Sequence, residues 1–587
     1  FMFDALKFNV AMVTDEGFAS LEKPVHYAYA WRYKNAPATE NDEKKLADDF
    51  LKAVLTQTVV GENELADYLP AYANQAINFA TDDMGSDKAM GGVLLDILIV
   101  IIAFIFAVTI SNTITKESKT IGTLRASGYT RFELLRHYLT MPVIVTLIAA
   151  AVGNLLGYTV FKKVVVSMYY NSYSLPIYKT IWNPAAFFKT TLIPLALMFV
   201  VNLVVIAGKM KHTPLEFLRQ DLKKSRHKKA IRLPRWKFFS RFRIRIIFQN
   251  IPNYLILFFG IFFVMVMLAM AIGMPDTLDY YKENVGGMMF ANYQYVLKSC
   301  DDSDGNRIFT SNDTAEAFGM KSLQRKSEAI NEDISVYGIS DGSRYVQING
   351  LDVLEKGEVY ISNSFRDKYG ISIGDMVTLD EKYENKHYEF KVAGFYDKSL
   401  SISVFMPMEH FRSSFDLDED EFTGFLSDTS EDNIAAVITE HDITKMCDQL
   451  DHSMGSYMQY FQVLCILLSA VMIYLLTKII IEKNENAISM TKILGYENGE
   501  IARLYLLSTT IVLVIADAVS VFLGSLVMSA AWKMIMFSYS GWYSFEMNLV
   551  GYLKMFLFVL IGYLIVLAFD FRRIKKIPMD EALKNAE

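Results

Sequence analysis

Few side chains in this 587-residue sequence stand in patterns that could do bond-making chemistry. His387, His410, His441 and His452 fall in one polar stretch without the spacing of metal ligands. Cys300, Cys447 and Cys465 form no Cys-x-x-Cys pair, so neither a zinc site nor a disulfide framework follows. Cys300 and Cys447 could pair outside a cell, although two free thiols are the simpler expectation. No His-Glu-x-x-His or Gly-x-Ser-x-Gly occurs, and hydrolase chemistry has no visible seat. No Gly-x-x-x-x-Gly-Lys-Ser/Thr occurs either, so a cradle for nucleotide phosphates is not expected. Asp517 stands inside an apolar run, where an ionised carboxylate costs a few kcal/mol unless paired or wet. It reads either as an ion-carrying group or, more simply, as a packing-interface acid bonded to a neighbouring helix or held neutral by burial. Asp96 lies near the end of its apolar run and reads as interfacial.

Binding, not bond-making, is the better-marked chemistry. "KESKTIGTLRASGYTRFELLRHYL" runs from Lys116 to Leu139, and "KNENAISMTKILGYENGEIARLYL" runs from Lys483 to Leu506. With Gly128-Tyr129 placed on Gly495-Tyr496, Ile121 falls on Ile488, Arg125 on Lys492, Glu133 on Glu500, Leu134 on Ile501 and Tyr138 on Tyr505. The register continues, with Gly153 on Ser520 and Gly157 on Gly524, and "KHTPLEFL" (211–218) resembles "KKIPMDEAL" (575–583). A parallel duplication of a membrane module accounts for this order.

Each copy spells a helical hairpin. Ile121 and Leu124 sit one turn apart and give an apolar stripe. Gly128 suits a helix end that needs a left-handed residue, and Thr130 to Glu133 has the form of a capping box that starts a new helix. Phe132 and Leu135 give that helix an apolar side, with Arg131 and Arg136 elsewhere on its surface. Such a knob could dock into a groove on a partner or lie on lipid. Two copies, each immediately before an apolar run, favour docking. Gly153-x-x-x-Gly157 and Ser520-x-x-x-Gly524 are small-xxx-small patterns that let helices approach closely, and Asp517 lies one turn before Ser520.

The elements that must position these knobs follow from hydropathy. The chain is 52% hydrophobic with a mean hydropathy of +0.22, which fits a membrane protein with soluble parts. Seven runs near 91–114, 139–164, 185–208, 252–274, 457–481, 504–531 and 549–570 are long enough to cross a bilayer. Basic residues crowd 115–138, the linker 209–251 and the tail 571–587, which places those segments in the cytoplasm. The linker's Lys and Arg meet anionic lipid headgroups; no motif supports nucleic-acid binding. The opposite side receives 1–90 and 275–456, the latter rich in short strand patterns with a short helix "NSFRDKY" stopped by Gly370. In 1–90, "NDEKKLADDFLKAVLTQTV" has helical spacing with Asn41 or Asp42 as its cap. That segment reads as the tail of a first extracytoplasmic domain, with further residues and an eighth span upstream.

Glu117 to Leu139 and Lys483 to Leu506 resemble the coupling-helix signature of the FtsX-like permeases of ATP-binding cassette transporters, the group of MacB-type, LolC/LolE-type and BceB-type proteins. The signature stands here as Ile121-Gly122-Thr123-Leu124-Arg125-Ala126-Ser127-Gly128. In the second copy Ser489 replaces the early glycine and Lys492 the arginine, and Thr120 and Ala487 stand where an acid is usual. "VYISNSFRDKYGISIGDMVTL" with "FKVAGFYDKSLSISVFMP" is similar to the extracytoplasmic domain of MacB-type permeases. The resemblance implies a non-catalytic subunit of a bacterial plasma membrane, with no cofactor of its own. It implies that ATP and Mg are held by a partner, a homodimeric ATPase that grips one hairpin per copy. The implied coupling residues are Glu117, Ile121, Leu124, Arg125, Gly128, Tyr129, Arg131, Phe132, Ile488, Lys492, Gly495, Tyr496 and Glu500. Helix packing is expected of Gly153, Gly157, Asp517, Ser520 and Gly524.

The expected fold class is an α-helical polytopic membrane protein with two FtsX-like repeats, at 91–208 and 457–570, plus α+β extracytoplasmic domains. A span at 252–274 leads into the second of these, 275–456. The expected function couples a partner's ATP hydrolysis to a change outside the cell, exporting or extracting a peptide or lipid or switching an outside protein. Two alternatives are a membrane sensor or scaffold for antimicrobial peptides or an envelope enzyme, and an ion-driven carrier using Asp517.

Overall fold

The computed structural model describes residues 12–20, 28–60, 65, 67–74, 77, 79–173, 175–219, 238–297, 299–301, 307–308, 310, 312–327, 331–399, 401–430, 436–537 and 539–579. Among the described residues, seven helices have the length and apolar composition to cross a membrane, each where the hydropathy places one. The first half begins with two outer helices, α1 (Asp15–Ala19) and α2 (Glu40–Val60), then the long α3 (Phe79–Lys116). The first knob is α4 (Ser118–Ala126) and the start of α5 (Arg131–Leu156). A π turn at Gly157–Phe161 carries α5 into α6 (Lys162–Ser172). The third span joins α7 (Pro184–Phe187) to α8 (Ile193–Lys209), again through a π turn, and the short α9 (Pro214–Leu218) follows.

The second half opens with α10 (Phe238–Gln249) and α11 (Ile251–Asn284). Between α11 and the next span lies a mixed domain with nine strands among its described residues, β1 (Tyr293–Val296), β2 (Glu316–Arg325), β3 (Glu332–Ile339), β4 (Glu358–Ser362), β5 (Met376–Glu381), β6 (His387–Tyr396), β7 (Ser403–Pro407), β8 (Gly424–Ser427) and β9 (Ala436–Thr439). Two helices join them, α12 (Asn363–Tyr369) and α13 (Met408–Phe415). Then come α14 (Glu440–Lys483), the second knob in α15 (Glu485–Ile493) and the start of α16 (Asn498–Met536), and finally α17 (Leu549–Lys576).

Several boundaries differ from the sequence reading. Residues 209–251 contain α9 and α10 and so are not a plain linker; 220–237 lie outside the described residues. α10 is a basic helix, "FFSRFRIRIIFQ", whose Ile246 is buried against Ile481, Ile488 and Ile501 at the base of the second knob. The outside domain does not meet the spans at 275 and 456: α11 continues to Asn284 and α14 begins at Glu440, so both helices stand beyond the apolar layer. The cap of α2 is Thr39 in place of Asn41 or Asp42. Its hydroxyl accepts from the Asp42 amide (3.2 Å) and donates to the Asp42 carboxylate (2.8 Å). The helix simply starts earlier than its apolar pattern, because polar residues fill its first turn.

The strands close on themselves. β2 pairs with β3, β3 with β7, β7 with β4, β4 with β6, β6 with β5 and β5 back with β2, and β8, β1 and β9 extend from β2. β6 alternates buried Tyr388, Phe390 and Val392 with exposed neighbours, as a strand with one wet face requires. Ser362 caps α12 through the Phe365 amide (3.2 Å), and Gly370 ends it at φ 66°. Gly319 and Gly338 face each other across β2 and β3, and the ring of Phe411 fills the space above both. A Cβ at Gly338 would lie 2.6 Å from Phe411. Gly338→Val is therefore expected to lower stability by about 1–3 kcal/mol through overpacking. A thermal-unfolding series on the purified protein checks this, with Gly499→Ala costing less because that helical glycine meets nothing within 4 Å and has no positive φ.

Candidate functional site

Each knob rests on its own small apolar cluster made from the ends of three spans. The first contains Ile114, Ile121, Leu134, Tyr138 and Met210; the second contains Ile481, Ile488, Ile501, Tyr505 and Ile574. Gly128 (φ 103°) and Gly495 (φ 89°) turn the chain between the two arms in the left-handed region. The Thr130 amide and the Glu133 carboxylate (2.8 Å), with the Glu133 amide and the Thr130 hydroxyl (3.2 Å), complete the capping box that starts α5. Glu500 serves the Glu497 amide at the start of α16 (3.1 Å).

The residues of the signature divide into two groups. Ile121 and Ile488 are fully buried and so cannot meet a partner. Arg125 points inward, donating to the carbonyls of Met210 (3.3 Å) and His212 at the end of α8, with its guanidinium over the Phe217 ring. Lys492 does the same for α17: its three protons meet the carbonyls of Ile574 (2.8 Å), Lys575 (3.2 Å) and Ile577 (2.7 Å). Burial pushes the Lys492 ammonium below its ordinary pKa. Both cations stand at helix C-terminal carbonyls, where they satisfy orphan acceptors and complement the dipole. Glu117 also works inside, accepting from the Tyr138 hydroxyl (2.5 Å), and Leu124 is half-buried. The departures in the second copy have local causes. A Cβ at Gly122 would lie 2.9 Å from the Leu218 backbone, whereas Ser489 uses the same place to donate to the Met579 carbonyl (2.8 Å).

The second group forms the tips. Tyr129 is 52% and Phe132 73% exposed, with Arg131 beside them. On the second knob Gly495 and Glu500 are exposed and Tyr496 is half-buried. Leu494, which the sequence reading passed over, is 71% exposed. Its signal was an apolar residue directly before the turn glycine. Gly495, Tyr496 and Glu497 line a concave surface of about 440 Å³.

At the other end of the helices, a grip joins α16 to the outside domain, and no sequence signal announced it. The Lys368 ammonium donates to Glu332 and to the carbonyls of Tyr539 (2.7 Å) and Gly541 (3.1 Å). Glu332 accepts from the Gly541 amide (2.6 Å) and the Tyr369 hydroxyl (2.7 Å). Burial lowers the pKa of Lys368, against the pull of Glu332. The same loop is held from α11: the Tyr281 hydroxyl accepts from the Ser544 amide (2.9 Å), Thr277 from the Glu546 amide (3.1 Å) and Asp276 from the Asn548 amide (3.3 Å). Asp87 at the outer part of α3 accepts from Tyr169 (2.6 Å) and Tyr539 (3.2 Å), tying the halves together. Farther out, Tyr383 on the β5–β6 turn donates to the Tyr72 carbonyl (2.9 Å).

Of the expected packing residues, Gly524 lies where a Cβ would meet the Met265 backbone at 3.1 Å, and Ser520 and Asp517 are fully buried on α16. The Asp517 carboxylate has no hydrogen-bond partner among the described residues, so the expected bond to a neighbouring helix is not made there. Gly153 and Gly157 correct the expectation: both are exposed, and nothing lies within 4 Å of a Cβ at either. No helix of the described residues packs on that side of α5. Cys300 is free of a disulfide beside Arg307; the Cys447 side chain lies outside the described ones. No group of three or more His, Cys, Asp or Glu is placed to hold a metal among the described residues.

The model of the FtsX-like permease C-terminal family matches residues 92–214 and 460–579. The chain thus carries two FtsX-like permease domains, each comprising one knob with the spans on either side. No curated protein matched the chain.

Two consequences are measurable. Lys492→Met removes the ammonium that joins the carbonyls of Ile574, Lys575 and Ile577 and should loosen the second knob by about 1–3 kcal/mol, seen as faster amide exchange over 485–497 with 118–130 unchanged. Glu332→Ala strands a buried ammonium and should cost about 3–5 kcal/mol in thermal or chaotrope unfolding. Combining it with Lys368→Met should recover part of that loss.

Proposed function

We propose that this chain, with its two FtsX-like permease domains, is the membrane subunit of an ATP-binding cassette system in a bacterial plasma membrane. Permeases of this family in general belong to such systems and work with a separate ATPase. The two knobs receive the push of an ATPase pair, and the helices relay it to the outside domain. The observation that carries this reading is the pairing of two braced hairpins at one end of the spans with exposed Tyr129, Phe132 and Leu494 at their tips. An exposed aromatic on a rigid support is the kind of anchor that fills a partner's pocket.

The bracing refines which residues do what. Tyr129, Arg131, Phe132, Leu494, Gly495, Tyr496 and Glu500 are the contact set. Glu117, Ile121, Leu124, Arg125, Ile488 and Lys492 hold the knobs in shape. On the outside, the grip of Glu332 and Lys368 on the loop after α16 gives the sheet domain no freedom to ignore a shift of that helix. The load is a peptide or lipid drawn from the bilayer, or an outside protein switched by the domain's movement.

The carboxyl of Asp517, buried and without a hydrogen-bond partner among the described residues, supports a second reading, an ion-driven carrier. One set of variants separates the readings. Phe132→Glu combined with Leu494→Glu should cut ATPase co-purification from native membranes at least about tenfold, or about 1.4 kcal/mol, with an unchanged unfolding temperature. Asp517→Asn should leave that association intact and preserve activity. Undiminished co-purification of the tip variant would remove the ATPase reading, and loss of activity in Asp517→Asn alone would install the carrier.

A further inference from the structure

We infer that the interior of the second half holds a water-binding seam that the first half lacks, with one water station at Asp517 and another at Asp570 beneath the second knob. The seam stands whether the chain works with an ATPase or as a carrier.

The two repeats can be compared position by position. α16 and α5 are in register through Gly495 and Gly128. α17 and α8 are put in register by the carbonyls that the knobs grip, Ile574 by Lys492 and Met210 by Arg125. Five interior positions of the second half are then polar where the first half is apolar. Thr477, Thr510 and Asp517 stand for Ile110, Val143 and Ala150, and Tyr563 and Asp570 stand for Phe199 and Ile206. Ile110 and Ile206 belong to the apolar cluster under the first knob, and Val143 packs against it. Thr477, Tyr563 and both aspartates are buried in their turn.

The polar residues fall on one line. Thr510 and Asp517 are seven residues apart on α16, and Tyr563 and Asp570 are seven apart on α17, so each pair shares a helix face. The two helices meet at the hydroxyls of Thr510 and Tyr563 (2.6 Å). At 1.5 Å per residue, Asp517 lies about 10 Å outward of that contact and Asp570 about 10 Å inward.

At both ends of the line polar atoms go unserved. Neither oxygen of Asp517 has a hydrogen-bond partner among the described residues, nor has the Ser520 hydroxyl one turn on. Neither oxygen of Asp570 has one, nor has Nη1 of Arg573 one turn on. Thr477, beside Asp570, turns its hydroxyl to the Tyr474 carbonyl (3.3 Å). Buried polar groups without partners are costly, and a bound water is the usual answer where several face one space. Residues three apart on a helix hold their Cβ atoms about 5–6 Å apart, which leaves room for one water between their polar ends. Each station therefore sets an acceptor and a donor at that spacing, carboxyl with hydroxyl at Asp517 and carboxyl with guanidinium at Asp570. Arg573 repels a metal cation from the inner station. One carboxyl and one hydroxyl are too few ligands for a hard cation at the outer one.

The inner station lies one turn before Ile574, whose carbonyl Lys492 grips. Water-bridged contacts thus adjoin the brace of the second knob, at the place where the first has Ile206. A water bridge is nearly as good as a direct hydrogen bond and can change partners. α17 can shift along the seam at small cost, whereas a shift of α8 would break apolar packing.

X-ray radiolytic labelling of the full chain in membrane vesicles tests this, because the hydroxyl radical forms from the bound water and attacks the nearest side chain. Met265 packs on Gly524 one turn from Ser520, and the Tyr474 ring lies under Arg573 (5.5 Å). Both are expected to label at least about tenfold faster than Met198 and Met210, the buried methionines of the first half. Asp517→Ala with Asp570→Ile installs the first-half residues and should bring Met265 and Tyr474 down to that level. Asp517→Asn with Asp570→Asn keeps the polarity and should retain the labelling. The seam is overturned if Met265 and Tyr474 label no faster than Met198 and Met210 in the unaltered protein. Undiminished labelling in the apolar pair, or equal loss in both pairs, overturns it as well. If the apolar pair does not fold, the contrast within the unaltered protein decides alone.

Discussion

A positive charge held against the carbonyl end of a membrane helix is the contact on which the architecture turns. Arg125 does this for α8 and Lys492 for α17. Each joins the first arm of a knob to the last span of its own repeat. Without that joint, a nine-residue helix beside a membrane would be marginal, since short helices owe their stability to packing. With it, a force on the tip must move the third span as well as the second. The two cations differ in chemistry because their surroundings differ. The guanidinium stacks on Phe217, while the ammonium is enclosed by three carbonyls.

The outer grip complements the inner brace. Lys368 and Glu332 belong to the sheet domain, and Tyr539 and Gly541 to the turn after α16, so hydrogen bonds from a buried ion pair span the junction of soluble and membrane parts. Buried pairs add little to stability compared with apolar packing, but they set one geometry and reject others. α11 repeats the theme through Asp276, Thr277 and Tyr281, which accept from amides of the same turn and its continuation. The turn after α16 is therefore held from two sides, and it is the only outer turn between spans among the described residues that is so held.

Much of this was legible in the sequence, for reasons that are local. Seven apolar runs report themselves by length, and Gly128, Gly495, Thr130 and Glu133 each act within a few residues of their own position. The inward roles of Arg125 and Lys492 were not legible, because their acceptors lie more than eighty residues away and are backbone atoms, which carry no residue code. The Glu332–Lys368 pair was hidden for the same reason, its other acceptors standing about 170 residues on. The small-residue pattern at Gly153 and Gly157 was visible as a pattern, but spacing alone says that a helix can approach, not whether one does. α10 escaped notice because its arginines read as a linker, while Ile246 needs the knob beside it to show its purpose.

α14 has 44 residues, and its apolar part begins at Met458. At 1.5 Å per residue it is a rod of about 66 Å, with about 27 Å of it standing outside the bilayer. Swung about a fulcrum at mid-membrane, its outer end travels through an arc more than twice that of its inner end. Under the proposed function the molecule would be geared: a small stroke at the knobs would leave at the other end of the rod as a larger one delivered with proportionally less force, an arrangement suited to reaching and displacing a load more than to crushing it.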